Sequence, residues 1–225
     1  IRQTSQAFNQ MRTRIKRFLK QRTDMLAGVS HDLRTPLTRM KLQVSLIKDQ
    51  KAKSELELDI NEMTAMLDSY VSFVKTESHE PIETLIINEI IRDCLKTVDF
   101  EKYIVEFNEK NIIKTSGRPI QLKRAFQNII DNSKRYADKI KIVIVMDKEG
   151  CKIEISDNGP GIPKESYEDV FKPFFTLDPS RNKLKGESGL GLTITRDIIR
   201  SHGGEIKLDK SFSLGGLKLK VLLPT

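Results

Sequence analysis

Tryptophan is absent from this 225-residue chain, and cysteine occurs only at Cys94 and Cys151. Two distant thiols build no disulfide framework, and neither stands near another thiol or a ligand set. Both read as reduced thiols of a cytosolic setting. No uncharged apolar run approaches the roughly 18 residues of a membrane-spanning helix. No short apolar stretch follows a basic start, so no signal peptide is expected. Glycine and proline are nearly missing from the first 78 residues, which hold only Gly28 and Pro36. That scarcity excludes a turn-rich structure there. With 38% apolar and 31% charged residues, disorder and collagen-like repeats are excluded as well. The length suits one large domain or two small ones.

Acidic residues are also scarce at one end. Residues 1–53 carry 13 basic and 3 acidic side chains, while the remaining 172 carry 26 and 28. The net charge of +8 therefore belongs to one segment. Nucleic acid or an anionic membrane surface would suit such a segment, and so would a solvated helix face; charge alone does not choose.

What the first segment does have is periodicity. Phe8, Met11, Ile15, Phe18, Met25 and Val29 stand 3, 4, 3, 7 and 4 residues apart. The series runs on more loosely through Leu33, Leu37, Met40, Val44 and Ile47. A polar stretch, 48–54, interrupts it. Leu56, Ile60, Met63, Leu67, Tyr70 and Val74 then follow at spacings of 4, 3, 4, 3 and 4. The pattern predicts two long amphipathic helices in an antiparallel hairpin. One hairpin leaves much of its apolar stripe wet, whereas two make a four-helix bundle. A homodimer is therefore expected, with packing against the rest of the chain as the alternative.

Residues 76–82 read as a polar linker. Beyond it, 88–96 and 120–136 read as helices, and 139–146, 152–156, 205–208 and 217–222 as strands. A tight turn at Lys148-Glu149-Gly150 joins two of them. The mixture predicts an α+β arrangement, a sheet covered by helices on one face. Residues 158–188 show little periodicity, and loops that long are usually functional or disordered.

Four strings carry chemistry. The first is Ser30-His31-Asp32-Leu33-Arg34-Thr35-Pro36. His31 lies two residues past the seam residue Val29, so it is expected to face solvent, where a neutral imidazole is a competent nucleophile for a phosphoryl group. Asp32 could accept from one ring nitrogen and leave the other free. Thr35 lies one helical turn on and could hold a water. Pro36 is expected to bend the helix there.

The second string runs from Asn128 through Asn132 to Arg135 and Tyr136. The two Asn share a helix face and offer hard oxygen ligands suited to Mg²⁺. Arg135 offers a charge for phosphate and Tyr136 a ring for a base. The third is Asp157-Asn158-Gly159-Pro160-Gly161, directly after a strand, where a fixed carboxylate suits an exocyclic amine. The fourth is Gly186-Glu187-Ser188-Gly189-Leu190-Gly191-Leu192, glycines opening a helix and forming a phosphate cradle. Between the last two lie Phe171, Phe174 and Phe175, aromatics expected to dock on their own domain.

Taken in this order, the four strings resemble the cytoplasmic core of a bacterial sensor histidine kinase, most closely the osmosensor kinase group typified by EnvZ. The resemblance covers nearly the whole chain. It implies a dimeric four-helix bundle for histidine phosphotransfer plus a Bergerat-type ATP-binding α/β sandwich. Residues 1–20 would end a HAMP-like relay helix, on the likeness of Ala7-Phe8-Asn9-Gln10-Met11. Residues 21–78 would form the dimerisation and phosphotransfer domain, 79–84 the linker, and 85–225 the catalytic domain. His31 would be the autophosphorylation site, Asp32 its assisting acid and Thr35 the residue supporting dephosphorylation of the partner. Asn132, with Asn128, would hold Mg²⁺, and Arg135 would contact phosphate. Asp157 would read adenine, with Tyr136 stacking nearby. Gly159, Gly161, Phe175, Gly189, Leu190 and Gly191 would complete the ATP site. The phosphoryl group would pass to an aspartate of a response regulator. The whole protein would be anchored in the inner membrane, with this portion, itself soluble, on the cytoplasmic side.

Glu187 and Ser188 depart from the small residues usual in the lid turn, and Ser133 replaces the usual Ala after Asn132. Nucleotide binding is expected to survive both. Three other readings compete. An ATPase clamp of the chaperone or topoisomerase kind leaves the His31 string unexplained. A phosphatase that has lost kinase activity keeps that string. A DNA-binding dimer leaves the C-terminal half unexplained and lacks a base-reading arrangement, so no nucleic-acid partner is expected.

Overall fold

The long apolar periods become two helices. In the computed structural model, which describes residues 2–76, 80–109, 112–177 and 189–224, α1 spans Arg2–Ser45 and α2 spans Gln50–Thr76. The turn between them is shorter than the polar stretch 48–54 suggested. Asp49 ends it, because its Oδ1 accepts from the backbone N–H groups of Lys51 and Ala52 at 2.9 and 3.3 Å. That is an N-cap, and it draws residues 50–54 into the first turn of α2. α1 continues through Pro36.

Within one chain the hairpin buries Leu37, Val44 and Ile60, with Ile47 and Leu67 packed against them. The rest of the described stripe stays exposed: Phe8, Met11, Phe18, Met25, Val29, Leu33 and Met40 on α1, Leu56 and Met63 on α2. The side chains of Ile15, Tyr70 and Val74 lie outside the described residues, as do His79 and the part of the linker around it.

The second unit begins at Glu80. Its elements are β1 (Glu83–Ile86), α3 (Ile87–Leu95), β2 (Ile104–Glu109), β3 (Lys114–Gly117), α4 (Pro119–Tyr136), β4 (Lys139–Asp147), β5 (Gly150–Asp157), α5 (Gly191–Ser201), β6 (Glu205–Lys210) and β7 (Leu217–Leu223). Two short 3-10 turns, Lys164–Ser166 and Asp169–Phe171, lie between β5 and α5. The main sheet has the order β2-β4-β5-β7-β6, with β2 parallel to β4 and the other pairs antiparallel; β1 and β3 form a separate ribbon. Asp147 pairs with Gly150, so the β4–β5 hairpin turns on Lys148 and Glu149.

Register decides which face is apolar. Ile140, Ile142 and Ile144 of β4 stand opposite Asp157, Ile155 and Ile153 of β5. Ile155 and Ile153 in turn oppose Leu219 and Val221 of β7. All are buried, and α4 adds Leu122, Ala125, Phe126, Ile129 and Ile130, each 0% exposed. α4 lies between α3 and α5 and touches β5. The opposite face is polar and carries cross-strand ion pairs: Lys141–Glu106 at 2.9 Å, Lys218–Glu154 at 3.1 Å and Lys220–Asp209 at 2.6 Å. The sheet is thus covered by helices on one side and solvated on the other.

Candidate ATP and phosphotransfer site

Asp157 ends the apolar row of β5, and the pleat turns it to the helix-covered face with Ile155 and Ile153. It is only 4% exposed. Its Oδ1 accepts from the backbone N–H groups of Gly159 and Leu217, each at 3.0 Å. Its Oδ2 receives the Ser133 hydroxyl of α4 at a longer 3.4 Å. Burial pushes the carboxyl above the usual carboxylate range, against the opposing pull of these three donors. The seat depends on Gly216: a Cβ there would stand 2.5 Å from both Asp157 Oδ1 and Gly159 N. The next residue, Asn158, latches the strand ends, its Oδ1 accepting from the N–H groups of Asp138 and Lys139 at 3.1 and 2.9 Å. Gly161 follows in the segment after β5, and a Cβ there would lie 3.7 Å from the Gly216 carbonyl.

α4 brings its polar residues to this end of the sheet. Asn128 and Asn132 are half-buried, one turn apart. Asn128 Nδ2 donates to the Gly191 carbonyl at 3.3 Å, which fixes the amide and ties α4 to the start of α5. Arg135 is half-buried, and Tyr136 is 40% exposed at the helix end, its carbonyl against Gly159.

The stems of the long loop meet beside α5. The N–H of Phe174 donates to the Gly189 carbonyl at 3.1 Å. Gly189 has φ +61°, and a Cβ there would lie 2.8 Å from the Cα of Phe174, so only glycine fits. Leu190 is buried. The aromatic group divides: Phe171 docks and is buried, Phe175 is half-buried, and Phe174 is 56% exposed. The expectation that all three dock thus holds fully for Phe171 alone. Gly186, Glu187 and Ser188 lie outside the described residues.

The helical unit carries the other string. His31 belongs to α1, and its side chain lies outside those described. Asp32 and Thr35 are exposed on the same helix. Arg34, Thr35, Thr38, Arg39 and Leu42 line a shallow open groove there.

The structure therefore brings Asp157, Gly159, Gly161 and Tyr136 together where β5 ends, and joins Asn128 to Gly191 two turns back along α4. Sequence reasoning missed Leu217 and Gly216, which build the Asp157 seat from sixty residues away. The Gly215-Gly216 pair before β7 was the one available signal.

Two family profiles match the chain in tandem. "His Kinase A (phospho-acceptor) domain" covers residues 21–78, and "Histidine kinase-, DNA gyrase B-, and HSP90-like ATPase" covers 117–225. The chain belongs to the sensor histidine kinase family. It is 32% identical to the sensor histidine kinase GtrS of Pseudomonas aeruginosa over 99% of its length and 46% of that protein's. It is 31% identical to the sensor histidine kinase CpxA of Escherichia coli over 97% of its length and 50% of that protein's. This histidine kinase chain thus spans about half the length of the curated relatives it matches. The solved structure of the mycobacterial sensor histidine kinase MprB superimposes with a TM-score of 0.56 at 26% identity, covering 64% of this chain and 97% of that one. The ATPase profile alone is shared with gyrase and HSP90, so the phospho-acceptor match is what separates a kinase from a clamp.

Proposed function

We propose that the chain is the catalytic core of a two-component sensor kinase that moves the γ-phosphoryl group of ATP to His31 and then to an aspartate of a response regulator. The observation that carries this reading is Asp157. One carboxylate oxygen is held by two backbone N–H groups, and among the described residues the other receives only a long hydroxyl bond. A buried carboxylate so placed suits the exocyclic amine of adenine. Tyr136 at the rim would stack on the base, and Gly159 and Gly161 let the backbone approach it. Gly189, Leu190 and Gly191 lead into the N-terminus of α5, where free N–H groups favour phosphate. Arg135 would add charge and Phe175 would flank the lid.

Mg²⁺ fits the Asn pair. Among the described residues no cluster of three His, Cys, Asp or Glu could hold a metal. Two amide oxygens suit a cation that arrives on the nucleotide and keeps phosphate and water as its other ligands. When bound it would neutralise phosphate charge. The protein's own part is to position Asn128 and Asn132 on a helix anchored to Gly191.

At the other site Asp32 would orient the His31 ring and Thr35 would hold a water for the reverse activity, hydrolysis of the regulator's phosphoaspartate. Two chains would pair along the open stripe of α1 and α2. No described helix is long and apolar enough to cross a membrane. Anchoring of the whole protein in the inner membrane, with the basic segment next to it on the cytoplasmic side, is part of this proposal.

The test is incubation with γ-labelled ATP and Mg²⁺. Acid-labile, alkali-stable label on the wild type and none on H31Q is expected. ATP hydrolysis without protein labelling would favour the clamp and refute the kinase. T35A should label nearly normally yet dephosphorylate the regulator more slowly; equal loss of both would refute that division of roles.

A further inference from the structure

Arg196, on α5, points at a main-chain carbonyl. Its side chain is 19% exposed, and its Nη2 donates to the Phe171 carbonyl at 3.0 Å. Its guanidinium carbon lies 4.8 Å from the centre of the Phe171 ring. Thr193, one helical turn earlier, donates its hydroxyl to the same carbonyl at 3.0 Å. The ion pair with Glu168 is long, at 3.5 Å, and Glu168 is 88% exposed, so that pair contributes little.

Burying a guanidinium costs free energy unless its donors are satisfied, and Arg196 Nε has no hydrogen-bond partner among the described residues. An apolar side chain of equal length would fill this space at lower cost. What it would not do is fix Phe171 in direction, with one donor on the carbonyl and a cation over the ring. Phe171 starts the aromatic stem. Phe174 on that stem is tied to Gly189, and Gly189 leads into Gly191, which Asn128 holds. The contacts form a closed circuit around the first turns of α5.

We propose that Arg196 is a positioning residue for nucleotide binding: by locking Phe171 it holds the aromatic stem and the Gly189–Gly191 turn in the register that receives phosphate. This rests on the ATP-site reading above. Binding of trinitrophenyl-ATP and Mg-ATP to the full chain tests it, with R196M, R196K and T193V beside the wild type. R196M keeps the packing and should hold its nucleotide-free melting temperature, while affinity falls roughly tenfold, the size of one charge-assisted hydrogen bond. R196K keeps the charge and one donor and should recover much of that loss. T193V should weaken binding in the same direction but less. In the labelling reaction KM for ATP should rise by more than kcat falls. Wild-type affinity in R196M would overturn the proposal. So would weaker binding that only tracks a lower melting temperature and that lysine does not restore. A wild type that binds no nucleotide would overturn the site reading, and this proposal with it.

Discussion

Asp157 carries a conflict between stability and its proposed role in binding. Its ionised form is desolvated, so its folded pKa lies above the ordinary 3.8. A raised carboxyl means that the native state holds a proton the unfolded chain has released. Its favourable contribution is therefore present at low pH and is lost as pH rises through that window. At neutral pH the apo protein bears an unfavourable buried charge. Asn in its place would put its oxygen where Oδ1 accepts from Gly159 and Leu217, and its NH₂ toward the Ser133 hydroxyl. D157N is therefore expected to melt at the same or a higher temperature without nucleotide, and to lose the upward shift that ATP gives the wild type. A scan with and without Mg-ATP checks both; a lower apo melting temperature would contradict the burial argument.

At the scale of elements, α4 is held at its start by residues from elsewhere in the chain. The Glu80 carboxylate accepts from the N–H groups of Ile120 and Gln121 at 2.5 and 3.1 Å. His202 at the end of α5 accepts at Nε2 from the Arg118 N–H at 2.9 Å, and its Nδ1 donates to the Ile198 carbonyl at 2.7 Å. Both ring nitrogens are thus committed in the neutral form. Burial lowers its pKa below 6.5, with Arg118 adding to the fall, while the Ile198 bond and Glu80 pull the other way. The unfolded chain then takes up the proton first. The stability this gives is complete above 6.5 and declines as pH falls toward the folded value. The melting temperature should drop between neutral and mildly acid pH, and H202Q, which can both donate and accept, should flatten that slope. An equal slope in both proteins would place the dependence elsewhere.

The same scale shows what could be read in the residues. β4 to β7 alternate because one face is covered and the other wet, so 139–146 and 217–222 were legible. β2 was not: it is an edge strand whose partner, β4, comes thirty residues later in the chain with no local turn to announce it. β1 and β3 are four residues each, too short for a period. Residues 48–54 read as a polar interruption, yet Asp49 caps the helix and 50–54 form the start of α2. The strings of the candidate site stand out in the sequence because each sets its chemistry-bearing side chains within a few adjacent residues. The seat of Asp157 was not, since its donors are main-chain N–H groups, which every residue but proline carries.

For the whole molecule, the hairpin poses a question that one chain does not answer. Met11, Met25 and Met40 are 55%, 69% and 47% exposed, along a helix whose buried apolar side chains, among the described residues, are Leu37 and Val44. In the proposed pairing, a second copy would cover a stripe of that length. Wild-type protein should sediment as a dimer, and M25E with M40E should shift it to monomer, because a charge in a bundle seam is left unpaired. A monomeric wild type at micromolar concentration would refute the bundle.

The central claim is that one imidazole receives the phosphoryl group. Fragmentation mass spectrometry under alkaline conditions, after reaction with Mg-ATP, locates the modification directly. The account predicts phosphate on His31 and on neither His79 nor His202. Phosphate on another residue, with His31 unmodified, would contradict it.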